Sequence, residues 1–331
     1  MRKTVIGIDI SKVTIDATIV YFGKEESYHD SFLNKKLGYE KLLKWISEKS
    51  KDKKRLFCIE NTGHYGRDLC TYLEKKNQEY AIINPVEIKN SVGLVREKSD
   101  KFDSKIIAIY GLKFPERLRS DKVIAEELLG LQLLLSQRNL LQAKELDFQR
   151  NLKQLKYCLS SDKIAKRIVK ENAKTRKYIQ KERKKVEERT EEYIASKPAI
   201  KKNYDLLQSI TGIGPIISMQ VIIQSRNFKG ITEARKFACY CGVVPFKNES
   251  GTSIRKGTRI SYYGHKGLKR LLNFGALNAI KYDPQLKEYY QKKVESGKEK
   301  MSVINAVRNK LIHRMYAVIR RGTPYVVQPT F

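Results

Sequence analysis

Residues 1–33 constrain this chain most. β-branched, apolar runs at 4–8 and 14–22 are joined by a two-residue turn, and a third run at 27–33 follows the turn Gly23-Lys24-Glu25-Glu26. Three strands in antiparallel succession are therefore expected before the first amphipathic helical stretch at 39–46. A doubly wound dinucleotide-binding fold would place a helix after its first strand, and this order excludes it. Further apolar runs at 56–59 and 80–83 alternate with helical patterning at 67–73, which makes the N-terminal region α/β. Asp9 sits inside the first apolar run. A carboxylate there is costly unless it is paired or bound to a metal.

The rest of the chain is patterned differently. Between Pro115 and Pro198 there is no interior proline and only one glycine, Gly130, while leucines recur at helical spacing from Leu128 to Leu146. Long helices are expected. Residues 163–192 are dense in Lys, Arg and Glu, with sparse apolar positions at Ile164, Ile168, Tyr178, Val186 and Tyr193. An antiparallel helical pair and a dimeric coiled coil both satisfy that pattern. After Pro198 glycines return and acids become rare, so a second compact, mainly helical domain is expected. The boundaries follow: 1–114, 115–202 and 203–331.

Charge identifies the class of partner. The chain carries 67 Lys and Arg against 36 Asp and Glu, a formal charge of +31, and the net value rises from +6 to +10 to +15 across the three segments. Such an excess calls for a polyanion, and nucleic acid is expected. At 41% hydrophobic content the chain is no disordered basic tail, and no apolar run approaches a membrane span. The N-terminal MRKTVIGIDISK lacks the small-residue cleavage site of a secretory signal, so a cytoplasmic, nucleoid-associated protein is expected. Five cysteines, odd in number and without CxxC spacing, argue against zinc sites and disulfides; Cys58 and Cys239 lie in apolar runs where a thiol packs as a small hydrophobe.

Four carboxylates are candidates for chemistry: Asp9, Glu60 at the end of an apolar strand, and Asp100 with Asp103 before a helix. Each alone has a plain structural reading, and Asp103 would serve as a helix N-cap. Together they suit phosphoryl transfer, because hard divalent cations such as Mg2+ take oxygen ligands and a two-metal site needs several carboxylates. A ribonuclease-H-like sheet supplies that arrangement, with acids on its first strand, on the adjoining fourth strand and on a later helix.

In the third segment, ITGIG at 210–214 lies between two helical stretches, a helix-hairpin-helix pattern. Gly212 and Gly214 would let the backbone turn tightly and present N–H groups to a phosphate, or make a plain helical connection. Downstream, Ser250 precedes a glycine on an expected flexible loop, followed by Arg255, Lys256, Arg259, Lys266, Lys269 and Arg270. These cations read as a phosphate-binding set, and the serine as a candidate nucleophile.

Taken in order, GIDISK at 7–12, IENTG at 59–63, NP at 84–85, KSDKFDS at 98–104, ITGIG at 210–214, CGVVP at 241–245, ESG at 249–251, SYYGHK at 261–266 and the tail at 298–325 resemble the DEDD-type insertion-sequence transposases. That family includes bridge-RNA-guided recombinases and, more distantly, pilin-gene invertases. The resemblance implies a RuvC-like N-terminal domain, a helical coiled-coil arm and a C-terminal transposase domain. It implies Asp9, Glu60, Asp100 and Asp103 as the magnesium-binding tetrad and Ser250 as a nucleophile forming a phosphoserine link. It further implies donor and target DNA, a structured guide RNA, and a homo-oligomer, dimer or tetramer. Thr211, Glu249 and Ser104 depart from residues common in the family, without removing a chemical group from the site. A metal-dependent Holliday-junction endonuclease that uses water is the alternative enzyme, and a non-catalytic nucleic-acid-packaging protein the alternative outside enzymology.

Overall fold

The computed structural model describes residues 4–52, 54–61, 63, 65–92, 99–118, 125–158, 162–250, 254–260 and 264–327, with backbone alone at 158, 247–250 and 254–260. The chain divides into two compact units, one through residue 123 and one from residue 124.

The first unit is built on the expected meander. Strands β1 (Thr4–Ile10), β2 (Thr14–Tyr21) and β3 (Ser27–Leu33) run antiparallel, then β4 (Arg55–Glu60) and β5 (Glu79–Ile83) add in parallel, giving the order β3-β2-β1-β4-β5. This mixed sheet is compatible with the ribonuclease-H-like expectation. The first turn has three residues, 11–13, rather than two. Ser11 closes it, its N–H donating to Thr14 O at 2.9 Å and its hydroxyl receiving the Thr14 N–H at 2.9 Å.

Both sheet faces are covered, which explains why the strands read as continuous apolar runs. Helices α1 (Lys36–Lys49) and α2 (Arg67–Lys75) bury Tyr39, Leu42, Ile46, Leu69 and Leu73 against Ile6, Ile8 and Ile15. After the short α3 (Pro85–Ser91), helix α4 (Asp100–Lys113) packs on the opposite face, with Ile107 and Ala108 in a core beside Val5, Leu56 and Cys58. The seam under α4 is made of small residues. A Cβ on Gly7 would lie 2.1 Å from Ser104 O and 2.3 Å from Ala108 N, and one on Gly111 would lie 2.4 Å from Cys58 Sγ. The helix backbone therefore rests directly on β1. A buried hydrogen bond between the Thr18 and Ser104 hydroxyls, 2.7 Å, fixes α4 along β2 as well. Serine at 104 thus has a partner that alanine would lack.

The second unit begins with two long helices, α5 (Glu126–Cys158) and α6 (Lys163–Ala195), folded against each other in antiparallel fashion. Arg183 bridges Glu145 at 3.0 Å and Glu187 at 2.7 Å, and Arg138 meets Glu187 at 3.0 Å. Gly130 leaves room for Tyr193, whose hydroxyl donates to Glu127 O at 2.9 Å; a Cβ there would sit 2.3 Å from Tyr193 Oη. Of the apolar positions in α6, Val186 is buried, whereas Ile164 and Tyr178 face solvent.

The root of this pair belongs to the core of the unit: Leu128, Leu131, Leu135 and Ile194 pack with Tyr204, Ile222, Phe237, Leu272, Leu311 and Met315. The remaining elements are α7 (Pro198–Gln208), α8 (Pro215–Gln224), α9 (Ala234–Tyr240), the antiparallel ribbon β6 (Pro245–Ser250) with β7 (Ile254–Ile260), α10 (Lys266–Tyr282), α11 (Pro284–Glu295) and α12 (Lys300–Arg321). Asp283 is fully buried where α11 starts, accepting from Leu286 N at 2.9 Å and from Arg314 at 2.6 Å; Arg314 also stacks on Tyr325 and so anchors the tail. Cys58, Cys70 and Cys241 are buried and Cys239 is half-buried. Among the described residues no helix is long and apolar enough to cross a membrane.

Gly7→Val is expected to destabilise the first unit by about 1–3 kcal/mol, the usual cost of forcing extra methyl groups into filled space. Trp45, the chain's single tryptophan, packs on Phe32 within this unit and reports on it alone. Urea unfolding followed by its fluorescence checks the prediction, and an unchanged midpoint would contradict it.

Candidate active site

Side chains alternate across a strand with a period of two, and that parity decides which acids meet. Asp9 follows Val5 and Gly7 on the α4 face of β1, and Glu60 follows Leu56 and Cys58 on the same face of β4. Asp100 and Asp103 arrive from above, in the first turn of α4. Three residues apart, they share one side of the helix. Carboxylate oxygens of Asp9, Asp100 and Asp103 lie within 4.8 Å of one another.

The cap differs from the expectation. Ser99, not Asp103, is the N-cap, accepting from Phe102 N at 3.2 Å, and the helix starts at Asp100. Both acids are thereby placed in the first turn, where the helix dipole favours negative charge.

The electrostatics are those of an incomplete site. Burial raises the Asp9 pKa from its ordinary value, the Ile10 backbone N–H pulls it back, and Asp103, Asp100 and Asp16 raise it further. Burial likewise raises Glu60, with added repulsion from Asp9 and Asp103. Among the described residues, the charged side chains that shift these two groups are all acidic. Oxygen-only donors with excess negative charge fit a hard divalent cation, and Asp9, Asp100 and Asp103 could hold it; Glu60, whose carboxyl feels Asp9 and Asp103, is near but is not one of the three that converge.

Asp16 was not singled out from sequence. It lies directly across from Asp9 in the β1–β2 register and bonds to His29 Nε2 at 3.2 Å. Counting residues back across the hairpin turn was the signal that would have found it.

The remaining predicted residues belong to the second unit. Ser250 is not in a loop: its backbone ends β6, opposite Ile254, where the ribbon turns. Arg255 and Arg259 lie on β7, opposite Glu249 and Phe246, with Lys256 between them. Gly251, Ser253 and residues 261–263 lie outside the described residues, as do Thr62 and Lys98 of the other motifs. Lys266, Lys269 and Arg270 form the opening turn of α10, capped by His265, whose Nδ1 accepts from Leu268 N at 3.0 Å. Gly212 has a packing reason to be glycine: its φ is +92°, and a Cβ would lie 2.3 Å from Gly275 O on α10. Gly214, the N-cap of α8, has open space where a Cβ would go.

An α/β unit with clustered acids is thus followed by a strongly basic helical one. Residues 6–160 match a family model described as a transposase, of the DEDD type of IS110, and residues 204–291 match the transposase IS116/IS110/IS902 family. The protein is a DNA transposase/recombinase. Over 333 residues it is 28% identical to the pilin gene-inverting proteins of Moraxella bovis and Moraxella lacunata, covering 98% of each chain. A shorter match, 27% identical over 120 residues (36% of this chain, 29% of the other), is to an uncharacterized 43.6 kDa protein of insertion element IS110 from Streptomyces coelicolor. The chain belongs to the DEDD-type IS110 transposases. The packaging reading, which rested on charge alone, gives way to an enzyme.

The raised Asp9 pKa fixes the sign of a stability effect. The unfolded carboxyl ionises more readily than the folded one, so Asp9 costs stability increasingly as pH rises through the carboxylate range. Asp9→Asn is expected to raise the melting temperature in metal-free buffer near neutral pH, with the gain shrinking on acidification. Calorimetry with and without MgCl2 checks this, and the mutant is expected to lose the magnesium-dependent rise of the wild type.

Proposed function

We propose that this transposase mobilises its own element by cutting and exchanging DNA strands through a phosphoserine intermediate at Ser250, with Mg2+ held by Asp9, Glu60, Asp100 and Asp103. The observation that carries the proposal is the convergence of three carboxylates within 4.8 Å, two on the first turn of a helix whose backbone packs directly on the strand that carries the third. A bound magnesium ion would polarise phosphodiester oxygens and favour charge developing on them. The acids orient that ion. Ser250 Oγ loses its proton and bonds to phosphorus as the phosphorus–oxygen bond to a deoxyribose breaks, and the departing oxygen leaves as a hydroxyl. Attack by a hydroxyl from another strand reverses the step and frees the serine, so no external energy source is needed.

The end-to-end similarity to proteins named for inverting a pilin gene supports site-specific exchange over simple cleavage. Gly214 and the cations Arg255, Lys256, Arg259, Lys266, Lys269 and Arg270 would carry phosphate contacts, with α7 and α8 serving as the helix-hairpin-helix and α5 with α6 as the coiled-coil arm. A structured guide RNA would pair with donor and target DNA, leaving sequence choice to base pairing. A Holliday-junction endonuclease needs only the four acids, and the presence of a covalent adduct separates the two readings.

Ser250→Ala is expected to abolish the protein–DNA adduct seen on denaturing gels while leaving nucleic-acid binding intact. Asp100→Asn or Asp103→Asn is expected to lower strand cleavage by orders of magnitude. The acids and the serine belong to different units, and strand exchange needs at least two cleavage centres, so we further propose a site shared between protomers. Mixing Ser250→Ala with Asp9→Asn subunits is then expected to restore cleavage of one strand; cleavage no higher than in either mutant alone would place each site within one chain.

A further inference from the structure

Arg308, in α12, is only 6% exposed. Its guanidinium donates to two neutral amides, reaching Asn305 Oδ1 at 3.4 Å and Asn273 Oδ1, while its Nε is buried without a partner. Among the described residues no carboxylate pairs with it. Other largely covered arginines of this unit are treated differently: Arg138, Arg183 and Arg314 each meet a Glu or Asp. An arginine does not escape burial by losing its proton. A buried cation lacking its counter-charge is among the more costly features a fold can carry.

A second cation shares the place. Lys269 lies one turn before Asn273 on α10, and burial, with the Arg308 charge, lowers its pKa. Burial likewise disfavours the Arg308 charge, and among the described residues no neighbouring charge offsets it. Lys269 is partly exposed and so leads from the guanidinium towards solvent. The cluster is also tied to the ribbon. Asn305 Nδ2 donates at 2.7 Å to the carbonyl of Val243, two residues before β6, the strand that ends in Ser250.

We infer that Arg308 and Lys269 form a binding site for one phosphodiester of a nucleic-acid strand, at the foot of the ribbon that carries Ser250. The inference rests on the reading of this unit as nucleic-acid binding and assigns it an internal anion site. A strand rises about 3.3 Å per residue, so Ser250 lies roughly 17 Å along β6 from its foot. The phosphate held at Arg308 is therefore a flanking one, and Arg308 is a positioning residue that holds the strand in register. The fixed fork of the guanidinium suits two phosphate oxygens, and the lysine adds charge at the mouth.

The test is fluorescence anisotropy of the full-length protein with labelled single-stranded DNA, duplex DNA and RNA of one sequence, over a range of salt. Arg308→Met is expected to keep or raise the melting temperature, since an apolar side chain replaces an uncompensated buried charge. For whichever nucleic acid occupies the site, affinity is expected to fall about tenfold and the slope of log affinity against log salt by about one. Arg308→Lys is expected to retain most of the slope. A purely structural arginine would instead give a lowered melting temperature with slope and affinity unchanged for all three ligands, which would overturn the inference. Should Arg308→Met fail to fold, Lys269→Met is expected to show the same loss of slope, and its absence there is equally decisive. Failure of the wild type to bind any of the three would remove the nucleic-acid reading of this unit itself, whereas tight wild-type binding with an unaffected Arg308→Met removes only the site.

Discussion

The first unit depends on the absence of a side chain at residue 7. Because β1 carries no Cβ there, the backbone of α4 settles onto the strand at Ser104 and Ala108, closer than any other residue would permit. That approach brings the first turn of the helix down to the C-terminal end of β1, where Asp9 lies. Gly111 against Cys58 and the Thr18–Ser104 hydrogen bond hold the same seam further along and to the side. With the backbone in contact, the helix has little room to tilt, and the distances among Asp9, Asp100 and Asp103 follow from packing rather than from mutual attraction. Packing has to hold them, since these groups repel one another.

The two units manage charge in opposite ways. The first gathers negative charge at one end of its sheet, where burial and the neighbouring acids leave Asp9 and Glu60 reluctant to ionise. In the second, the arm neutralises cations through Glu145 and Glu187, whereas among the described residues no carboxylate compensates Arg308. Neither is favourable for the fold alone, and each core must supply the stability to tolerate it.

Much of this could be read directly. The meander was legible because turn residues and β-branched runs alternate within 33 residues, and Ser27–Leu33 is a strand with the bounds its pattern implies. The acid set was legible because an aspartate inside an apolar run is conspicuous. Other features were obscured where a local rule met a stronger one. Ser99 took the capping position from Asp103, since a cap must precede the helix and the helix begins earlier than its apolar pattern does. Ser250 sits at a strand end, although serine and glycine together favour loops, because the segments on either side pair as a ribbon. Gly212 reads as a phosphate turn in sequence, while in the fold it accommodates α10.

Sequence by itself determined the class of fold in each part, the sign and scale of the charge, the family, and which carboxylates could matter. All of these depend on residue type and on short-range period, which the chain carries locally. Only the tertiary structure decided that Asp16 faces Asp9, that the arm helices share the core of the second unit, and that Arg308 is buried with amides in place of a carboxylate. Those are statements about neighbours far apart in the chain. Helix-on-strand and helix-on-helix packing determine them, and no single residue records which partner it will meet.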